Sequence, residues 1–235
     1  MKTSYPDLKF VIDKEYDEWT SREFLTYDPT DRFSNDILKV HPELEKGKIL
    51  NQTGRATFII NHIGNYYKKY HDLLESKKNE SQASWKIIEK KFYNAVDTLF
   101  QTSNAETYAW PAGTYVCALS IFNCNPRDIK NKDFQIFFLH SYGIPIAAMH
   151  EMLHFAFYDY VEKTHKELFK NLGTNGMWKL SEIFNDVILR TPKFVKLTNV
   201  ANPSIYAQTE EELEKYSKMW EESKSIDEFL KKYSA

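Results

Sequence analysis

Residues 150–154 read His-Glu-Met-Leu-His, and their types and spacing suit metal chemistry. On a helix, positions i and i+4 share one face about 6 Å apart, so His150 and His154 can converge on one cation. Zinc accepts imidazole nitrogen, and a catalytic zinc site keeps one position open for water. Glu151 can reach that water, as the glutamate of a His-Glu-x-x-His motif does when it acts as a general base. The motif predicts zinc-assisted hydrolysis.

Two histidines supply only part of a zinc site, so a third ligand should come from another element. Residues 181–186 read Ser-Glu-Ile-Phe-Asn-Asp, on a predicted helix that is otherwise largely apolar. Glu182 can complete a set of two histidines and one glutamate around one Zn²⁺. Asp186, four residues later, can accept the second ring N–H of a ligand histidine. Because buried carboxylates need partners, the apolar surroundings favour these roles over a solvated helix face.

The two motifs together, with Glu182 lying 28 residues after His154, resemble the gluzincin metallopeptidases, the thermolysin-like clan. The resemblance implies that His150, His154 and Glu182 bind zinc, that Glu151 is the base and that Asp186 supports a histidine. It implies a peptide or protein substrate, whose backbone pairs with the edge of a sheet upstream of the zinc helix. It covers about residues 113–190, a third of the chain.

The gluzincins usually add a tyrosine or histidine that stabilises the oxyanion of the tetrahedral intermediate. No motif identifies this residue here. Tyr206, in the segment after Pro203, and His165, on the extended zinc helix, are the candidates. Geometry decides such a role, because the donor must face the position where the charge develops.

Hydrophobic periodicity predicts an α+β fold, mainly helical, with a small antiparallel sheet preceding the zinc-binding helix. Runs 8–12, 114–122 and 134–139 are β-rich, and the last two are expected to pair as antiparallel strands. Helices are predicted at 52–76 and 83–101, as a hairpin across a polar break, at 145–171 and from Gly176 to before Pro192. Residues 193–208 are expected to be irregular, and capped helices should begin at Thr209 and Ser225.

We expect one domain over residues 1–235. Its parts are an N-terminal helical part (1–105), a metallopeptidase-like core (106–192) and C-terminal helices (193–235). The net charge of −2 gives no basic excess that would indicate a nucleic-acid partner. The N-terminus has no apolar signal segment, and no apolar run approaches the roughly 20 residues that span a bilayer. These features predict a cytoplasmic protein with no membrane partner; nothing in the sequence fixes an oligomeric state.

Three other interpretations remain open. The metal could be structural, which requires a fourth protein ligand, for which His140 or His165 is available. His150 and His154 could be hydrogen-bonded helix residues of an interaction protein with a vestigial site, which predicts a large exposed apolar patch. The N-terminal helices could form a coiled coil, although their heptads are not sustained. Among the other histidines, His41, His62 and His71 have no ligand-like spacing.

Overall fold

A computed structural model describes residues 5–27, 32–101, 108–201 and 209–234. The strands are β1 (Asp7–Val11), β2 (Thr114–Ser120), β3 (Arg127–Asp128) and β4 (Asp133–Phe137). The helices are α1 (Lys14–Ser21), α2 (Arg32–Val40), α3 (Gln52–Leu99), α4 (Ile144–Thr164), α5 (Lys166–Leu189), α6 (Pro192–Thr198), α7 (Glu210–Glu221) and α8 (Ile226–Tyr233). A π-helical segment, Arg22–Tyr27, follows α1, and a 3₁₀ segment, Pro42–Ile49, follows α2. The fold is therefore α+β and mainly helical, as predicted.

The chain divides into two compact units. We call Asp7–Trp85 with Thr114–Pro145 the sheet unit, because it contains all four strands. The helical unit comprises the described residues of Met1–Pro6, Lys86–Gly113 and Ile146–Ala235. Within the described residues, no helix is both long enough and apolar enough to cross a bilayer.

The sheet has the order β1-β2-β4-β3 and is mixed, so the prediction of an antiparallel sheet was wrong. β1 and β4 both run parallel to β2, with Cys117 paired to Phe10 on one side and to Phe134 on the other. Parallel neighbours need a crossover connection, and segment 121–132 is long enough to supply one. Part of that segment forms β3, which pairs antiparallel with β4. The loop between the two predicted strands therefore contains the antiparallel partner itself.

Neither edge of this sheet offers a long row of backbone groups for pairing. Along β1, the side chain of Gln82 accepts a hydrogen bond from the backbone N–H of Phe10 (3.1 Å) and donates one to the carbonyl of Leu8 (3.3 Å). The opposite edge is the two-residue strand β3. Covered or very short edges are common protections against unwanted strand addition. The sheet thus gives no support to substrate pairing at its edge.

The chain does not break between the two predicted N-terminal helices, because α3 is helical there and is kinked only at Tyr70, so the hairpin prediction was wrong. α3 continues through the polar segment Ser76–Ser81. That segment contains no glycine or proline, and its charges pair along the helix, Lys77 with Glu80 at 2.7 Å and Lys78 with Glu75 at 2.5 Å. Such i,i+3 pairs stabilise an exposed helical turn. The polar residues mark a solvated turn, and the backbone departs from helical geometry earlier, at Tyr70.

The helical unit is organised around α4 and α5. α4 begins after Gly143, whose φ of +85° suits the turn before Pro145, and ends at Thr164, earlier than predicted. α5 follows almost at once and is interrupted at Gly173, where φ is +60°. Segment Pro192–Thr198, expected to be irregular, is α6, which begins with proline at its first position.

The predicted C-terminal helices are both present. α7 begins with a reciprocal capping box between Thr209 and Glu212, and α8 begins at Ser225, whose side chain accepts the N–H of Glu228. Caps of this kind satisfy backbone donors that the first helical turn leaves without partners. Each of these two helix starts is therefore determined locally, by a pair of residues that lie within one helical turn.

A buried carboxylate, Asp17 of α1, ties together the elements of the sheet unit. It accepts hydrogen bonds from the hydroxyls of Ser120 (2.5 Å) and Tyr67 (2.7 Å), the side-chain amide of Gln135 (3.0 Å) and the backbone N–H of Ile121 (3.1 Å). These donors lie on β2, α3, β4 and the segment after β2. Burial raises the pKa of Asp17 to about 6, although the four hydrogen bonds act in the opposite direction.

This pKa predicts a pH dependence of stability. Between pH 3.8 and about 6 the folded state retains a proton that the unfolded chain releases, so the free energy of unfolding falls as pH rises through this window. At about 1.36 kcal/mol per pKa unit, the protonated carboxyl of Asp17 contributes on the order of 3 kcal/mol to the free energy of unfolding. This contribution is fully present below pH 3.8 and is lost above about pH 6. Urea unfolding at pH 4, 5, 6 and 7 should show the decline for wild type relative to Asp17→Asn. As a control, the exposed variant Asp72→Asn should show the same decline in the free energy of unfolding as wild type. If Asp17→Asn also showed that decline, the raised pKa could not belong to Asp17.

Candidate metal centre

His150 and His154 on α4 converge with Glu182 on α5 inside the helical unit. Their ring Nε2 atoms lie 3.0 Å apart. The Nε2 of His150 is 3.1 Å from Oε2 of Glu182, and that of His154 is 3.5 Å from Oε1. All three side chains are 1% exposed or less. The structure therefore brings together the three residues that the sequence predicted as metal ligands.

The donor set fits a metal ion such as zinc. A tetrahedral ion with bonds of about 2.0–2.1 Å holds its ligand atoms roughly 3.3 Å apart. The three observed separations, 3.0, 3.1 and 3.5 Å, bracket that value. Two imidazole nitrogens and one carboxylate suit zinc and several other divalent ions, so the donors alone do not select the metal. Among the described residues, this group has no fourth member that could serve as a ligand.

Aromatic packing and one side-chain hydrogen bond hold the two helices in this register. The rings of Phe157 on α4 and Phe184 on α5 stack with their centroids 4.4 Å apart. The side-chain amide of Asn185 donates to the backbone carbonyl of His150 at 2.8 Å. Because Asn185 and Phe184 directly follow the turn that carries Glu182 and Ile183, these contacts fix the depth at which the carboxylate meets the histidines. The packing of α5 is thus also the positioning of the third donor.

The electrostatics of Glu182 favour its ionised form. Burial alone would raise the pKa of this carboxyl, but the adjacent His154 and His150 outweigh burial and hold the pKa far below its usual range. The ionised carboxylate is the form of Glu182 that can bind a divalent cation, and the two imidazoles join it as ligands in their neutral form.

Glu151 and Asp186 lie beside the three donors in sequence and are as deeply buried. Glu151 follows His150 on α4 and is 1% exposed, and Asp186 lies one turn after Glu182 on α5, also 1% exposed. Asp186 contacts Arg190, whose Nη1 lies 3.9 Å from Oδ1 of Asp186 and donates to its backbone carbonyl at 2.8 Å. The base role of Glu151 and the histidine-supporting role of Asp186 remain predictions.

Of the two oxyanion candidates, the structure describes only His165, and it does not bring His165 to this group. His165 lies at the junction of α4 and α5, eleven residues beyond His154, or roughly 16 Å along a helix axis. Its Nε2 lies 2.8 Å from Oδ1 of Asp227, which also accepts the hydroxyl of Tyr160 at 2.7 Å. His165 thus has a partner in α8, and its position gives no support to an oxyanion role. Tyr206 lies outside the described residues.

A second group of possible metal ligands escaped the sequence analysis. His41, Glu43 and His62 in the sheet unit each offer one ligand atom, and these atoms lie within 4.8 Å of one another. His41 lies between α2 and the 3₁₀ segment, whereas His62 is on α3, so no helical spacing links them. Only the pair His41 and Glu43, two residues apart, is local, and a His-x-Glu pair alone does not indicate a site.

Comparison of the chain with models of known protein families, with curated protein sequences and with solved structures finds no match. The residues themselves are therefore the basis of the functional argument. Among them, the group formed by His150, His154 and Glu182 is the most deeply buried set of possible metal ligands within the described residues.

Proposed function

We propose that this protein is a zinc-dependent hydrolase that cleaves peptide bonds. In this proposal His150, His154 and Glu182 hold one Zn²⁺, and Glu151 is the general base. The observation that carries it is the convergence of two Nε2 atoms and one carboxylate at separations suited to a tetrahedral ion. A three-ligand set supports catalysis rather than a structural role, because a closed structural site has four protein ligands.

Glu151 has the chemical role that the reaction needs beyond metal binding. It follows a ligand residue directly on α4 and is 1% exposed, so its carboxyl is shielded from bulk solvent. It accepts a proton from the attacking water as the water oxygen bonds to the carbonyl carbon. It then passes that proton to the amine nitrogen as the carbon–nitrogen bond breaks. A bound zinc ion supplies Lewis-acid polarisation and lowers the pKa of water.

The peptide substrate rests on the resemblance of the two motifs to gluzincins. Burial of the donors imposes a further condition, because a substrate must reach atoms that are 1% exposed or less. Catalysis at this group therefore requires a movement that opens it to solvent. Such openings occur on microsecond to millisecond timescales in many enzymes and often limit turnover.

A structural metal site is the second candidate, and the same burial favours it. A metal that joins α4 to α5 in the interior would stabilise the helical unit without any need for access. The two candidates differ in their response to removal of Glu151. That residue is essential to hydrolysis, whereas it is dispensable for a site that only holds two helices together.

The first expected outcome concerns metal content. Purified wild-type protein, dialysed against Zn²⁺ and then against buffer, should retain a zinc ion that His154→Ala and Glu182→Gln both lose. Each substitution removes a donor atom, and an amide oxygen is a weaker zinc ligand than a carboxylate. Elemental analysis measures the zinc, and circular dichroism establishes that each variant is folded.

The exposed His71 provides a matched control, since its side chain is 73% exposed and lies beside Asp72 on the surface of α3. His71→Ala should keep the wild-type zinc content. If folded His154→Ala and Glu182→Gln proteins both retained as much zinc as wild type, the ligand assignment would be wrong.

The second expected outcome concerns hydrolysis. Glu151→Gln should keep the zinc ion and lower kcat for cleavage of an unfolded protein substrate by about 10²–10⁴-fold, the usual contribution of a general base. Glu162→Gln, an exposed substitution on the same helix, should leave kcat unchanged. Cleavage is followed by mass spectrometry of the fragments.

Full activity in zinc-loaded Glu151→Gln would contradict the role of Glu151. An inactive wild type that unfolds when a chelator removes its zinc would instead support the structural candidate. Both measurements use the complete chain.

A further inference from the structure

The group formed by His41, Glu43 and His62 carries an inference that is independent of the proposed hydrolase. All three residues belong to the sheet unit. His41 caps the 3₁₀ segment whose first turn contains Glu43, and His62 is on α3. Since His62 reaches the other two only by folding, the convergence of the three is a property of the tertiary structure.

One hydrogen bond fixes the orientation of His41 and determines which ring nitrogen faces its neighbours. Its Nε2 lies 2.7 Å from the backbone carbonyl of Ile121. A carbonyl oxygen can only accept, so Nε2 carries the proton, and in the neutral ring Nδ1 carries the lone pair. The ring is 2% exposed and has edge contacts with Phe122 and Tyr66, at centroid distances of 5.4 and 5.1 Å. A ligand histidine is typically oriented by such a bond.

Both ring nitrogens of His62 face a possible metal ligand. Nε2 of His62 lies 3.0 Å from Nδ1 of His41, and Nδ1 of His62 lies 3.5 Å from Oε1 of Glu43. A neutral His62 carries one ring proton, which Nε2 can donate to the lone pair of His41. The other ring nitrogen then presents a lone pair toward the half-exposed carboxylate of Glu43, and both attract a cation.

The geometry suits a metal ion at this point. The bond to Ile121 leaves Nδ1 of His41 with a lone pair, and that atom lies 3.0 Å from Nε2 of His62 and 3.9 Å from Oε1 of Glu43. Neutral imidazole is the form that binds metals. A metal ion can be held by Nδ1 of His41, one ring nitrogen of His62 and the carboxylate of Glu43.

We propose that His41, Glu43 and His62 form a second divalent-metal site, in the sheet unit, with zinc as its best-suited ion. The ligand set of two imidazoles and one carboxylate suits zinc. Nδ1 of His41 and Oε1 of Glu43 lie 3.9 Å apart, wider than the roughly 3.3 Å of a tetrahedral zinc site. Glu43 can close this gap, since its side chain is 49% exposed and can move.

The exposure of this site distinguishes it from the buried group. Glu43 and His62, with side chains 49% and 14% exposed, give the ion access to solvent, so water can complete its coordination. An ion there would join the 3₁₀ segment to α3. Because it binds the folded chain and not the separated ligands of the unfolded chain, it should stabilise the protein in proportion to the free zinc concentration.

The test is zinc stoichiometry by equilibrium dialysis at micromolar free Zn²⁺, followed by thermal unfolding in the same buffers. His62→Ala and Glu43→Gln should each bind one zinc ion fewer than wild type, and their Tm should rise less on zinc addition. His71→Ala, on the same helix as His62, should match wild type in both measurements. Glu43→Gln guards against a folding defect, because it changes a half-exposed side chain by one atom.

The outcome is separable from that of the hydrolase proposal. A zinc ion lost in Glu182→Gln but retained in His62→Ala and Glu43→Gln supports the first site alone and overturns the second. A zinc ion lost in His62→Ala and Glu43→Gln but retained in Glu182→Gln supports the second alone. Wild-type stoichiometry and an unchanged zinc-induced rise in Tm in both folded variants would overturn the proposal.

Discussion

A carboxylate removed from water must be met by donors or by a cation, and the fold meets this constraint in two ways. Asp17 accepts four hydrogen bonds from donors on β2, α3, β4 and the residue after β2, which partly offset the cost of burying its charge and join α1 to the sheet and to α3. Glu182 faces two imidazoles instead. The donors around Asp17 complete a local network, whereas the carboxylate of Glu182 and two ring nitrogens form a set that suits a metal ion. The first solution is structural, and the second supports metal binding.

The burial of the His150 group affects chemistry and access in opposite directions. In a region of low dielectric, the attraction between Glu182 and a cation is strong, and the buried carboxyl of Glu151 is shielded from bulk water. The same burial separates the donors from solvent, since their side chains are 1% exposed or less. Under the proposed hydrolysis, part of the packing energy that positions the donors must therefore be overcome before each turnover. For a structural ion, no such conflict exists.

Sequence predicted those features that depend on residues within one or two helical turns. The i,i+4 relation of His150 and His154, the apolar surroundings of Glu182 and the capped starts at Thr209 and Ser225 are local, and the structure contains them. The predicted direction of β4 relative to β2 was wrong, because parallel and antiparallel strands share one alternation pattern. Only the path of segment 121–132 distinguishes the two arrangements. The hairpin was wrong because a polar segment without glycine or proline is as compatible with a solvated helical turn as with a loop.

The two groups of possible metal ligands show why one was visible in the sequence and the other was not. His150 and His154 lie on one helix, so two of the three possible ligands are positioned before any tertiary contact forms. His41 and His62 have no relation until α2, the 3₁₀ segment and α3 are packed, and the bond from His41 to the carbonyl of Ile121 depends on β2 as well. Each site nevertheless needs a tertiary contact for its last donor, which is Glu182 of α5 at the first site and His62 of α3 at the second. A metal ion at either place would therefore tie two elements together, α4 to α5 at the first and the 3₁₀ segment to α3 at the second.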